Sequence, residues 1–367
     1  MGDQVDQAWT GGAPGRGTSA EEDDVHVPDG FLDAPTSLAT AAVAATAVGV
    51  ALRKARDELD ERTAPLAGLT AAFVFAVQML NFPVGVGTSG HLMGGALAAA
   101  LVGPWTAVLC VSVVLMVQAL LFADGGLTAL GTNVTLIAVV TAAVGWFVIK
   151  AMLAVLPRRP ASVVPACAVG ALVSVPAGAL VFVVLFAIGG NANLSLGTLT
   201  ATMLGWHVLI GIGEAVITAL TVSAVVAVRP DLVYAAHGLR PGLKLKDADG
   251  ILVDAQGGHE AVEATRSSRG MVLGGGLTAL VLAGVVSYYA SASPDGLEYV
   301  AGENGFLETA RDHVFGDFAL ADYGEVGGIP VGVAGVLGVV LTVGVGWLLF
   351  RTVNRGSRRS GARAQSR

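Results

Sequence analysis

Apolar residues along the chain gather in long runs at 36–53, 65–82, 91–103, 104–123, 131–156, 161–188 and 203–228, and again at 271–290 and 330–350. Most approach the ~20 residues that a helix needs to cross a bilayer. The third run is short and rich in Gly and Ala, which suits a helix packed in the interior. Polar sequence separates the runs most clearly at 229–270 and at 291–329. The pattern predicts an all-α polytopic membrane protein: a bundle of about seven helices at 25–230, a linker at 231–270, a two-helix unit at 271–350 and a basic tail at 351–367.

Composition agrees with that class. Of 367 residues, 54% are hydrophobic and 13% charged, and the mean hydropathy of +0.70 is far above that of a soluble domain. The 50 glycines suit helices whose backbones approach closely. Cys110 and Cys167 both fall in apolar runs, so they read as packing residues rather than a disulfide or metal framework.

The placement of charge sets an orientation. Arg53, Lys54, Arg56 and Arg62 follow the first run, Arg158 and Arg159 the fifth, Arg229 the seventh, and six arginines with no acid lie in 351–367. With the N-terminus outside and the C-terminus cytoplasmic, every cluster is cytoplasmic, as basic flanks prefer. The 291–329 loop, with eight acids against one Arg, is then external; it reads either as an attractor of cations or as an ordinary solvated loop. Residues 1–24 are polar, Gly-rich and acidic at their end, without the basic start and apolar core of a signal peptide. They are expected to be a disordered tail or a mis-assigned start.

Three of six histidines, His26, His91 and His207, fall in the external segments or at the external helix ends, and imidazoles converging there suit a transition metal. His313 lies in the acidic loop, and His237 and His259 in the linker. His91 follows "NFPVGVGTSG", whose Pro and glycines break the preceding helix; Ser89 is placed to cap a helix that His91 begins. His207, Gly211 and Glu214 share one face of the seventh helix, and a carboxylate within a span is a functional candidate. Gln78, Asn81, Gln118 and Asn133 read as interhelical glue. With no G-x-x-x-x-G-K-[ST] phosphate loop and no catalytic triad or carboxylate pair, neither an ATPase nor another enzyme is expected.

Four stretches together carry a family resemblance: "HVPDGFL" at 26–32, "NFPVGVGTSGHLMGGALAAALVGPW" at 81–105, "ALLFADGGLTALGTN" at 119–133 and "LGWHVLIGIGEAVITA" at 204–219. They resemble the CbiM/NikM family, the substrate-capture components of energy-coupling-factor importers for cobalt or nickel. Beyond the linker, "SPDGLEYVA" at 293–301 and "LADYGEVGG" at 320–328 are similar to the PDGLE domain, a small NikN/CbiN-like partner here fused to the C-terminus. The resemblance implies capture of Co2+ or Ni2+ at the plasma membrane, no permanently bound cofactor, and partnership with a transmembrane coupling (T) subunit and cytoplasmic ATPase (A) subunits.

It also implies a site. In the family the chain begins Met-His, and the ion is held by the terminal amine, the next backbone nitrogen, that imidazole and a second His; consecutive chelate rings in one plane suit a square-planar ion. By position the two histidines are His26 and His91, and the amine belongs to Val25 only if Val25 is the mature N-terminus. Val25 becomes that terminus if translation starts there or the tail is cut; otherwise the site uses other ligands. Asn81, His207 and Glu214 are candidates for support or passage. The alternative function is a stand-alone, ion-coupled divalent metal permease that would lean on Glu214 as a relay.

Overall fold

The computed structural model describes residues 26–59, 64–85, 87–237, 244–246, 252–254, 269–321, 323 and 328–365. Val25 and the residues before it, His259, Asp322 and Glu325 lie outside that set. The described chain is mostly helical. Asp33 caps α1 (Ala34–Glu58) through its carboxylate, which accepts from Thr36 N–H at 2.9 Å, with Pro35 in the first turn. The Thr36 hydroxyl and N–H hold the Asp33 carboxyl below its ordinary value.

After α2 (Ala64–Gln78) the chain forms an antiparallel hairpin, β1 (Phe82–Gly85) with β2 (Thr88–Gly90), bulged between Pro83 and Gly85. Then come α3 (Gly95–Val102) and α4 (Pro104–Leu121). The next rod joins α5 (Leu130–Asn133), a π-helical stretch (Val134–Val140) and α6 (Thr141–Val155). Two long helices follow, α7 (Val163–Gly189) and α8 (Leu196–Val228). The linker holds a small hairpin, β3 (Lys244–Lys246) with β4 (Leu252–Asp254). The C-terminal unit is α9 (Arg269–Gly284), the short α10 (Gly296–Glu303) and α11 (Val331–Gln365).

Six of these helices, among the described residues, are long and apolar enough to cross a membrane; α2 and α9 are apolar but shorter. The chain is therefore a multi-pass membrane protein. All eight residues of α3 are buried. At about 1.5 Å per residue it is far too short to span, and Gly145 of α6 lies so close to Ala96 that a side chain there would collide with it. α11 closes on its neighbours through the same small-residue packing, with Gly338 against Phe75 of α2 and Gly335 against the Ala283 carbonyl of α9.

Several boundaries differ from the hydrophobic pattern. α8 starts at Leu196 rather than 203, because Ser195 caps it by accepting from Thr198 N–H and the polar "LGTLTAT" turn is helical. The 291–329 loop contains α10, capped by Asp295. The element ends place segments 26–33, 79–85, 87–94, 122–129, 190–195, 285–321 and 328–330 at one end of the bundle. Arg53, Lys54, Arg56, Arg158, Arg159 and Arg229 lie toward the opposite end.

Candidate metal centre

The first described segment is laced into the bundle mouth on three sides. Asn133 treats Val27 as a strand partner: its Oδ1 accepts from Val27 N–H and its Nδ2 donates to Val27 C=O, both at 3.0 Å. The Asp29 carboxylate accepts from the N–H groups of Leu127, Thr128 and Ala129 and from the Thr128 hydroxyl, at 2.6–3.2 Å. Gly30, at φ +97°, makes the turn, with the Thr309 carbonyl where a Cβ would be. Phe31 C=O accepts from Asn191 N–H at 3.0 Å and Asp33 N–H donates to Gly189 C=O at 2.7 Å. The Phe31 ring stacks edge-on to Phe306, at 5.0 Å.

That lacing fixes His26. It is 2% exposed, and its Nδ1 lies 2.7 Å from Asp124 Oδ1. Asp124 is aimed there by Ala123, which takes the left-handed conformation at φ 53°, a local strain of the kind that clusters at working sites. The following Gly125 and Gly126 are required by space, since a side chain at either would strike His26 or Asp29. The Nε2 of His26 is buried with no hydrogen-bond partner.

His91 approaches from the other side. It does not begin a helix: it lies in the non-helical stretch after β2, and α3 starts only at Gly95, behind a left-handed Gly94 that offers no side-chain cap. The cap comes from a distance, because Glu214 of α8 accepts from Met93 N–H at 2.8 Å and Gly94 N–H at 3.2 Å. Ser89 does not cap α3 either; its hydroxyl donates to the Ser293 carbonyl at 2.7 Å and its N–H to the Pro294 carbonyl at 2.8 Å. These bonds seat the C-terminal unit's loop on the hairpin and bring Asp295 Oδ2 to 3.6 Å from His91 Nε2. The His26 and His91 rings lie 5.2 Å apart at 63°.

A cavity of about 40 Å³ lies among His26, His91, Met93, Met203, His207 and Asp295. Roughly 10–15 Å³ of such space holds one water, so the cavity admits an ion with a few waters and excludes a fully hydrated one. His207 Nδ1 donates to the Met203 carbonyl at 2.8 Å, which leaves its Nε2 as an acceptor. Among the described residues, no three His, Cys, Asp or Glu side chains stand close enough as placed to hold an ion between them. A chelate ring closing on the His26 backbone nitrogen would need Nδ1, the atom that Asp124 holds.

The structure thus gathers His26, His91 and His207 on one cavity. Glu214 stands behind His91 and holds backbone, and Asn81 lines a separate groove of about 1210 Å³ between α2, α8 and α9, where its carbonyl accepts from Ser291 N–H. His313 and His237 are elsewhere, bonded to Phe315 N–H and near the Asp231 carbonyl. Asp124, Asn133 and Asp295 were not singled out by sequence as site residues. Asp124 sits in the "DGG" of a quoted motif, and Asp295 in "SPDGLE", where Pro-Asp-Gly reads as a turn.

A family model described as the cobalt uptake substrate-specific transmembrane region matches residues 26–232. The chain belongs to the CbiM family. The PDGLE domain model matches residues 269–355 of this CbiM-family chain. A putative metal transport protein of Haloquadratum walsbyi is 38% identical over 224 residues, 60% of this chain and 100% of that protein. A putative fused nickel transport protein NikMN of Archaeoglobus fulgidus is 38% identical over 212 residues, 57% of this chain and 68% of that one. The crystal structure of a transition metal transporter is similar with a TM-score of 0.50 and 30% identity, covering 55% of this chain and 93% of the other. The CbiM-family relatives are named as transport proteins, not enzymes.

Proposed function

We propose that the chain is the substrate-capture component of an ATP-driven energy-coupling-factor importer for cobalt or nickel. The observation that carries this is the pair His26 and His91, ring to ring at 5.2 Å, each beside an aspartate and both on a cavity too small for a fully hydrated ion. Imidazole nitrogens suit Co2+ and Ni2+, and the neighbouring carboxylates offset the charge of a buried divalent ion.

In this proposal the site end faces outward at the plasma membrane, and the basic clusters face the cytoplasm. The sequence has no nucleotide-binding loop, so hydrolysis falls to cytoplasmic ATPase subunits through a transmembrane coupling subunit. The C-terminal loop helps to load the metal and seats the N-terminal segment. The Val25 amine joins the ligands only if the mature chain starts there, and the imidazole then leaves Asp124 to close the chelate through Nδ1. Glu214 gives little support to a stand-alone permease, because both of its oxygens hold backbone N–H groups.

The test is 63Ni2+ and 57Co2+ uptake in cells carrying this chain with or without the coupling and ATPase subunits. Uptake is expected only with the partners, and His26→Ala or His91→Ala should abolish it at unchanged protein level. Uptake by the chain alone in vesicles, or retained by both variants, would overturn the proposal.

A further inference from the structure

We infer that the π-helical stretch Val134–Val140 phases the metal site: it turns Asn133 and Thr141 to one side of their rod, where the first holds the His26 segment and the second seats the His91 segment. This rests on the capture function proposed above, names what positions its two histidines, and adds no ligand.

The irregularity is not written locally. Neither Pro nor Gly lies between Asn133 and Thr141, so neither of the residues that usually break a helix is the cause. Val134, Thr135, Ile137, Val139 and Val140 are β-branched, which only weakens the preference for a plain α-helix. Val134–Ala138 are buried, and what packs on the rod at either end belongs to the site.

At the N-terminal end, the Asn133 amide brackets the backbone of Val27, one residue from His26. At the C-terminal end, Gly95, four residues after His91, is pressed on the rod: a Cβ there would strike Thr141 Oγ1 and crowd Ala142 N and the Ile137 carbonyl. The Thr141 hydroxyl donates to that carbonyl, a back-bond of the kind that bends helices. Between the two ends, Leu136 and Ile137 line the cavity shared by His26, His91 and His207. The side chains of the stretch are apolar except Thr135, whose hydroxyl donates to the Thr40 carbonyl at 3.3 Å. The stretch therefore acts through position alone.

Asn133 and Thr141 are eight positions apart. In an α-helix, at about 100° per residue, eight steps leave two residues about 80° apart around the axis, whereas seven leave them about 20° apart. A π turn bonds i→i+5 and so takes up one residue more than an α turn. Across it, eight positions act as seven. Asn133 and Thr141 then share a face, and both histidine segments are held toward one cavity. Straightened with every residue kept, the rod would turn one of the two segments about 100° out of place.

Length variants separate phase from packing. The experiment is titration of the purified full chain with Co2+ and with Ni2+, following affinity and the visible ligand-field bands of bound Co2+, with a melting curve on each sample. An alanine inserted between Ala138 and Val139 turns one segment away from the other; it is expected to weaken binding at least about ten-fold, as loss of an outer partner of a metal site does, and to shift the bands. Deletion of Ala138 leaves Asn133 and Thr141 seven apart in plain α-helix, still on one face, and should bind within a few-fold of wild type. A folded insertion variant with wild-type affinity and bands would overturn the inference. So would a folded deletion variant that has lost binding, because the shape of the turn and not its phase would then matter. Should either length variant fail to fold, Asn133→Ala and Gly95→Ala decide. Each loosens one segment from the rod and should weaken binding and shift the bands, and wild-type affinity and bands in either would overturn the inference. Each of these failures leaves capture intact, provided that His91→Ala still abolishes binding. A wild-type chain that binds neither ion would remove the capture function and this positioning role together.

Discussion

The His26 imidazole is held through Nδ1 by Asp124, 2.7 Å away, a contact that joins the first described segment to the loop after α4. Orienting one ring nitrogen by a carboxylate fixes which nitrogen remains for a metal. Asp124→Asn keeps the shape and loses the charge. It should weaken Co2+ or Ni2+ binding by about 10–100-fold with little change in thermal stability, as isothermal titration and a melting curve on the same sample would show.

Asp29 anchors the segment rather than the ion. Its carboxylate accepts four hydrogen bonds from 127–129, and removing it leaves three backbone N–H groups without their partner. Asp29→Ala should cost about 2–3 kcal/mol locally and free the N-terminal segment while the bundle stays folded. Limited proteolysis is expected to cut near residues 26–33 in the variant alone, with metal binding lost.

Glu214 separates two ideas about transport. As a distant cap for α3 it positions His91, so Glu214→Gln, which keeps one accepting oxygen, should weaken metal binding and lower stability by about 1–3 kcal/mol. Uptake should be reduced but measurable. A proton relay at this position would instead lose uptake entirely at normal affinity.

Ala123 is a strained alanine that glycine would relieve. The left-handed conformation costs a non-glycine residue about 1–2 kcal/mol, and glycine returns about 0.4–1 kcal/mol of that through the freedom of its unfolded chain. Ala123→Gly should therefore raise stability by about 0.5–1 kcal/mol in chemical denaturation, with Asp124 still on His26.

Much of the fold was readable because hydrophobic length is a local property: the long runs became helices, and the 91–103 run proved to be a buried interior helix. His26, His91 and His207 were readable as a set because they share one end of the bundle. The start of α3 was misread because its cap, Glu214, is 120 residues from Gly94 in the chain, and no local rule for Ser89 can see it. Asn133 looked like interhelical glue, although its amide pairs with backbone at Val27; a polar side chain in a span does not announce whether it will meet a side chain or a strand. Asp295 was hidden by its own neighbours, since Pro-Asp-Gly is sufficient reason for an Asp in a turn.

The hydrogen bond from Arg311 N–H to the Asp29 carbonyl joins residues 282 positions apart in the chain. Until the ribosome has passed Arg311, the clasp over the bundle mouth has no second half. Chain order thus imposes a schedule on the newborn protein: the mouth stays open while the helices between Asp29 and Arg311 are made, and shuts only after Arg311 has emerged.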